Sequence, residues 1–316
     1  MPLPLVSVVI PTYNYGHLVG EAVQSVLAQN YSMVEIIVVD DGSTDDTREQ
    51  LARFEGRIRY HYQPNAGLSA ARNTGIGLAK GQLIALLDSD DAFHPQKLAI
   101  QETYLAANPD VGLVATTSFS GEPIRWQEIP AGDVPDRRVR LEDVVLKSRF
   151  APSSVLVRRE CLDWAGPFDP ELKSVEDREM WIRIATHDRM ALIDLPLTWY
   201  RQTPGSMSRN AAKMEDFESL VLDRAFAMSE VRSNWTLRRK AKALAALAAS
   251  RRYQGAMQFG TAFRRLWSSF IWWPLPFGLA ESVPLLGRVR LAVAMTRQLI
   301  GSYTRSAVAR PKPAAA

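Results

Sequence analysis

An α/β fold on a mostly parallel sheet is what the sequence predicts, and three observations predict it. Short apolar, β-branched runs alternate with stretches of helical periodicity, two of those runs stop at clusters of aspartate, and charge is segregated along the chain. The first run, VSVVI at residues 6–10, reads as a buried strand closed by Pro11. A helix over 17–29 follows, with Leu18, Ala22, Val23, Val26 and Leu27 on one face, and then a second buried strand at 36–39 with Asp40 at its end. Residues 47–54 continue as a helix, 58–62 as a strand, 68–80 as a helix stopped by Gly81, and 83–87 as a fourth strand with Asp88 directly after it. A helix is expected from Pro95, strands at 112–116, 154–157 and 191–195, and a helix over 175–186; Pro123, Pro130 and Pro135 mark an irregular polar segment between them.

Parallel strands joined by right-handed crossovers place ligands beyond their carboxyl ends, where the strand order reverses. Pro11-Thr12-Tyr13-Asn14, Asp40-Asp41 and Asp88-Ser89-Asp90-Asp91 all fall at such ends, so they are expected to converge. Crowded carboxylates repel and raise one another's pKa, and a fold keeps them only where N–H groups, water or a cation offset the cost. In VVDDGSTDDT, Asp45 and Asp46 sit at a helix start, where carboxylates accept orphan N–H groups. Of Asp40 and Asp41, one is expected to bond the following turn and the other to face the cleft. In LLDSDDAF three carboxylates lie within four residues of each other after an apolar strand, which suits a hard divalent cation on a diphosphate better than an Asp turn.

At 316 residues, 47% hydrophobic and 23% charged, the composition is that of a globular chain able to bury a large core. Cys161 is the single cysteine, which excludes an internal disulfide, and the four histidines show no zinc-ligand spacing. No signal peptide is recognisable in MPLPLVSVVIPTYN, and a cytoplasmic setting is expected.

Several ordered motifs (VSVVIPTYN, EIIVVDDGSTDDT, NAGLSAARNTGIGLAKG, LLDSDD, VEDREMWIRIA and WYRQTPGSMS) together resemble family 2 of the glycosyltransferases over residues 5–208. The resemblance implies the GT-A fold and an inverting, nucleotide-sugar-dependent transferase. It implies that Pro11, Thr12, Tyr13 and Asp41 hold the nucleotide base, that Asp90 and Asp91 contact the ribose and a Mg²⁺ or Mn²⁺ on the diphosphate, and that Arg72 lies near the nucleotide. Asp88 is the first acid of the same motif, and Asp40 is a further acidic candidate. Asp177 matches the catalytic base, with Glu176 and Arg201 as contacts to acceptor or diphosphate. An attacking hydroxyl must lose its proton, and a carboxylate in hydrogen-bond reach can take it. Without the resemblance, Glu176 and Asp177 read as a solvated helix start. Trp181 reads as core. Two departures matter: Thr203 stands where many relatives carry histidine, and no Gln-x-x-Arg-Trp follows Tyr200-Arg201, which favours one transfer per binding event.

The resemblance divides the chain into a catalytic domain over 1–215 (nucleotide-binding half 1–117, acceptor-binding half 118–215) and a helical, basic, Trp-rich region over 216–316. From Val231 onward there are 15 Lys and Arg against one acid, Glu281, together with Trp235, Trp267, Trp272 and Trp273. The run LWSSFIWWPLPFGLAESVPLL is broken by Pro274, Pro276, Pro284 and Glu281, so it reads as interfacial rather than spanning. The expected partners are a uridine or thymidine diphosphate sugar, a lipid-linked or cell-envelope glycan, and an anionic membrane surface on its cytoplasmic side. Three other classes fit less well. An aspartate-nucleophile phosphatase needs one dominant early motif. A dinucleotide oxidoreductase needs its glycines at the first strand–helix turn, whereas Gly75, Gly77 and Gly81 lie within or after a helix. A nucleic-acid-binding protein would use the basic tail, but no nucleic-acid motif accompanies it.

Overall fold

The computed structural model describes residues 2–121, 124, 126, 129, 134–147, 150–202, 210–277 and 287–308, with 299–308 as backbone. Contacts divide the chain into one unit of residues 1–144 and 148–206 and a second of residues 145–147 and 207–316. In the first, the strands are β1 (Val6–Thr12), β2 (Val34–Asp40), β3 (Arg59–Tyr62), β4 (Leu83–Leu86), β5 (Ala92–Phe93), β6 (Val111–Phe119), β7 (Asp136–Val139), β8 (Val155–Arg158) and β9 (Arg189–Trp199). Its helices are α1 (Gly16–Leu27), α2 (Thr47–Ala52), α3 (Leu68–Leu78), α4 (Lys97–Ala107), α5 (Leu141–Leu146, which runs across the division), α6 (Arg159–Ala165) and α7 (Glu176–Ala185). A 3₁₀ turn, Pro152–Ser154, leads into β8.

The sheet runs β3-β2-β1-β4-β8-β6-β9-β5, with β7 also on β9. β3, β2, β1 and β4 are parallel, and β8 enters antiparallel between β4 and β6. The chain leaves β1 for β2 and β3 on one side and returns to β4 on the other, so the order reverses at β1. β2 is buried on both faces: Ile36 and Val38 join the main core with Val19, Val23 and Val26 of α1, while Ile37 and Val39 pack with Ala71 of α3 on the opposite face. That two-sided burial is why Ile36 to Val39 are continuously apolar rather than alternating. Gly75 lets α3 approach closely, since a Cβ there would lie 2.2 Å from Val9 Cγ1.

One boundary differs from expectation in a way that shapes the site. β1 does not stop at Pro11 but runs through Thr12, paired to Asp40. Val9 presents its carbonyl to Leu87 N on the β4 side, and Pro11, two residues on, faces the same way. The β4 pairing ends at Val9, so the N–H that Pro11 lacks has no ladder to complete.

The second unit is helical: α8 (Ala211–Ala225), α9 (Ser229–Arg232), α10 (Trp235–Gly255), α11 (Phe259–Trp272) and α12 (Gly287–Val308). α8 crosses the expected division at residue 215. Asn210 and Asn234 cap α8 and α10 by accepting from Lys213 N (3.1 Å) and Leu237 N (3.0 Å). Leu247, Tyr253, Ala262, Leu266, Phe277 and Met295 form its core. No described helix is long and apolar enough to cross a membrane.

Candidate active site

The predicted strand ends do meet beside β1. Asp41 N donates to the Thr12 carbonyl (2.9 Å), and Asn14, held at φ 55°, accepts from Thr44 N through its side chain (2.8 Å). Asn tolerates the left-handed region better than most residues. Thr12 is buried and its hydroxyl has no partner among the described residues; the Ser69 hydroxyl on α3 is in the same condition. An unpaired buried hydroxyl costs free energy and is commonly a group that a ligand completes. Tyr13, 46% exposed, offers a ring for stacking.

The paired acids after β2 are both engaged by protein donors. Asp40 accepts from Ser43 N (2.9 Å) and the Tyr60 hydroxyl (2.8 Å), bonding the turn as one of the pair is expected to do. Asp41, the other, takes Gln63 Nε2 (2.7 Å), Ala66 N (2.9 Å) and Gly67 N (2.8 Å), which fixes the start of α3. Asp45 accepts from Gly16 N (3.0 Å) and Thr47 N (3.1 Å), tying the starts of α1 and α2 together.

Arg72 connects the two halves of the first unit. Fully buried on α3, it donates to Asp88 Oδ1 (2.7 Å) after β4 and to Glu176 Oε1 (2.5 Å) at the start of α7, and lies over the Phe168 ring at 5.6 Å. Charge-assisted bonds of this kind are the strong ones. Neighbouring Asn73 grips the backbone of Phe168 from both sides, donating to its carbonyl and accepting from its N–H (2.8 Å each), which holds the loop that delivers α7. Val175, just before α7, sits at φ 55°, an outlier for a β-branched residue and the kind of strain that accumulates at functional sites. Asp177 follows, partly exposed, with Oδ1 accepting from Arg178 N (2.7 Å). Burial, then the charge of Glu176, push its pKa up to about 7, against the counteracting Arg178 amide and Arg72 charge. A carboxylate poised there can take a proton near neutrality.

The acidic motif after β4 is positioned by residues far away in sequence. Ser153 Oγ donates to Asp91 Oδ2 (2.6 Å) and accepts from Asp88 N (3.0 Å), while Arg201 N donates to Asp91 Oδ1 (3.1 Å). Arg201 also reaches the Asp90 carbonyl (3.1 Å) and Glu21 Oε2 (2.6 Å), stacked 4.2 Å from the Trp199 ring. Asp91 is almost wholly buried, and burial followed by the Asp88 charge raises its pKa well above the usual carboxylate range. That excess negative charge is what a cation would relieve. Among the described residues no three His, Cys, Asp or Glu side chains converge into a cage. Asp90 and Asp91 nevertheless fit in kind a small hard cation that takes one or two carboxylates and finishes its shell with phosphate oxygens and water.

Ser153, Ser69 and Asn73 were not singled out from the sequence. APSSV carries no motif, and only the packing of the turn Pro152–Ser154 against the β4 end shows what Ser153 does. Trp181 is fully buried between Phe150 and Phe168, as its helical spacing indicates. Thr203 and all of PGSMS lie outside the described residues.

Comparison with known proteins places this architecture. Residues 7–162 match the family described as Glycosyl transferase family 2. An uncharacterized glycosyltransferase of Rickettsia felis is 33% identical over 208 residues, 64% of this chain and 33% of that protein, so the chain spans only about a third of that relative's length. The Escherichia coli protein WfgD, named a UDP-Glc:α-D-GlcNAc-diphosphoundecaprenol β-1,3-glucosyltransferase, is 29% identical over 213 residues, 66% of this chain and 81% of that one. The mannosyltransferase PcManGT of Pyrobaculum calidifontis, solved with GDP-Man and Mn²⁺, superposes with a TM-score of 0.59 at 20% identity, over 94% of this chain and 81% of that one, which shows a shared fold. With the sheet reversing at β1 and the acidic motif at the neighbouring strand end, residues 7–162 form a glycosyltransferase family 2 domain, and the fold is GT-A.

Proposed function

We propose that the chain transfers a sugar from a uridine or thymidine diphosphate sugar to an acceptor hydroxyl, inverting the anomeric centre. The observation that carries this reading is the Arg72 bridge, which ties the acidic motif at Asp88 to Glu176, next to the candidate base Asp177. Thr12, Tyr13, Pro11 and Asp41 shape the nucleotide pocket within the half formed by residues 1–117, and Ser69 adds a hydroxyl to it. Asp90 and Asp91 would hold Mg²⁺ or Mn²⁺, which supplies Lewis-acid stabilisation of the departing diphosphate. Asp177 accepts the acceptor's proton. Glu176 neutralises Arg72 on one side as Asp88 does on the other, keeping the guanidinium fixed.

The acceptor in this reading is a lipid-linked or cell-envelope glycan, met by a protein held peripherally on the cytoplasmic face of the membrane. The name of the E. coli relative, whose acceptor is a diphosphoundecaprenol-linked sugar, supports that class. The test is a transfer assay with nucleotide sugars and undecaprenyl-diphosphate-linked acceptors, read by mass of the lipid product. Product formed by the wild type and lost in Asp177→Asn supports the reading. Donor turnover that ignores every lipid-linked acceptor overturns it.

A further inference from the structure

We infer that α11 is an in-plane membrane anchor: its outward face, Phe263, Trp267 and Ile271, inserts into the headgroup region of an anionic bilayer. The inference rests on the peripheral-membrane part of the reading above and assigns it to one surface of the second unit.

α11 has two apolar faces. Ala262 and Leu266 point into the helical core, whereas Phe263, Trp267 and Ile271, spaced four residues apart, are 41%, 62% and 66% exposed and line an apolar depression of about 340 Å³ with Arg264 and Ser268. A helix needs one apolar stripe to fold onto its neighbours, so the second is unused by the fold. The stripe continues to Trp272 at the helix end and Leu275 beyond it, both exposed. Arg239 of α10 donates to the carbonyls of Ile271 (2.9 Å) and Trp272 (2.7 Å), and its guanidinium lies 5.1 Å from the exposed ring of Trp235, bringing that tryptophan into the same patch.

Cations are interleaved with these rings. Arg239 lies over the exposed Trp235 ring, Lys242, which also pairs with Asp223 (3.5 Å), lies 5.0 Å from the exposed ring of Trp272, and Lys240 lies 5.3 Å from the partly buried ring of Trp273. Exposed tryptophans with Lys and Arg folded alongside fit the lipid interface, where a ring sits at headgroup depth and a long basic stem reaches anionic phosphate. Each base near such a surface adds about 1 kcal/mol, falling off within a Debye length. A bilayer headgroup region takes both the row of large apolar side chains and the basic charge beside it. With no described helix able to span, in-plane binding is the mode that fits.

The experiment is flotation of the full chain with vesicles of phosphatidylglycerol and phosphatidylcholine, and with pure phosphatidylcholine, over a salt series. The wild type is expected to float with the anionic vesicles at low salt and to be released as salt rises. Trp267→Ser and Ile271→Ser are each expected to weaken binding about tenfold, since side chains of this size lose most of their transfer free energy. Trp164→Ser, at an exposed tryptophan of the first unit, should bind like the wild type. Thermal melts check that the surface variants fold, and sedimentation velocity checks for a second copy covering the stripe. Binding unchanged in both α11 variants, a wild type that stays soluble at low salt, or a dimer that Trp267→Ser dissociates without vesicle binding each overturn the proposal. Flotation uses neither donor nor acceptor, so a failure of the sugar-transfer reading leaves its outcome untouched.

Discussion

In the first unit charge is turned inward: Asp40, Asp41, Asp91, Glu176 and Arg72 are each at least nine-tenths buried, every one bonded to a named partner. In the second unit Glu218 and Arg288 are buried, but Arg239, Lys240 and Lys242 are only partly buried and lie over tryptophan rings beside the exposed α11 stripe. Buried charges must be matched in detail, and removing one partner is costly; exposed ones act collectively and are screened by salt. Substitutions in the first unit should therefore act singly and on chemistry. Those in the second should act additively and on location.

The largest expected effect is that of Asp177→Asn, which should lower kcat by roughly 10²–10⁴-fold while leaving donor affinity nearly intact, read by turnover beside calorimetry. The same group gives a pH signature. With its pKa pushed up to about 7, the wild-type kcat/KM should rise with pH through an acid limb near 7. Folding is linked with the opposite sign: a carboxyl that holds its proton more tightly when folded costs stability as pH climbs from about 4 to about 7. Asp177→Asn should thus melt higher than the wild type at pH 8, with the difference closing near pH 4.

Next in size, Asp90→Asn and Asp91→Asn should each abolish the thermal shift that uridine diphosphate produces with Mn²⁺ or Mg²⁺. A shift kept in both variants would remove the cation from Asp90 and Asp91. Ser153→Ala deletes one hydrogen bond to a buried carboxylate, worth about 1.5–3 kcal/mol, and should weaken donor binding about tenfold with kcat little altered. Smallest of all, Trp267→Ser should leave calorimetric affinity for the nucleotide unchanged, which sharpens the contrast between the units.

The N-terminal part of this contrast was legible because its signals are local. Val34–Asp40 and Leu83–Leu86 are short strands that end next to their acids, whereas the reversal at β1 is visible only in the sheet order. What was hidden depends on long-range partners. Nothing near Ala92–Phe93 marks a strand until β9 pairs with it, and β8 betrays no antiparallel sense until it lies between β4 and β6. Asp41 reads as a free cleft acid until Ala66 and Gly67 fold back onto it. The Arg72–Glu176 bond spans 104 positions and the Ser153–Asp91 bond 62, distances over which no periodicity or spacing rule operates.

The most direct test of the central claim, that the inward-turned acids form a cation-assisted nucleoside diphosphate site, is calorimetric titration of the full chain with uridine and thymidine diphosphates, in Mn²⁺ and again in EDTA. Saturable one-to-one binding of at least one of them is expected in Mn²⁺, and its loss in EDTA, with Asp177→Asn behaving like the wild type in both. Equal affinity in EDTA, or no binding of either nucleotide with the cation present, would contradict it.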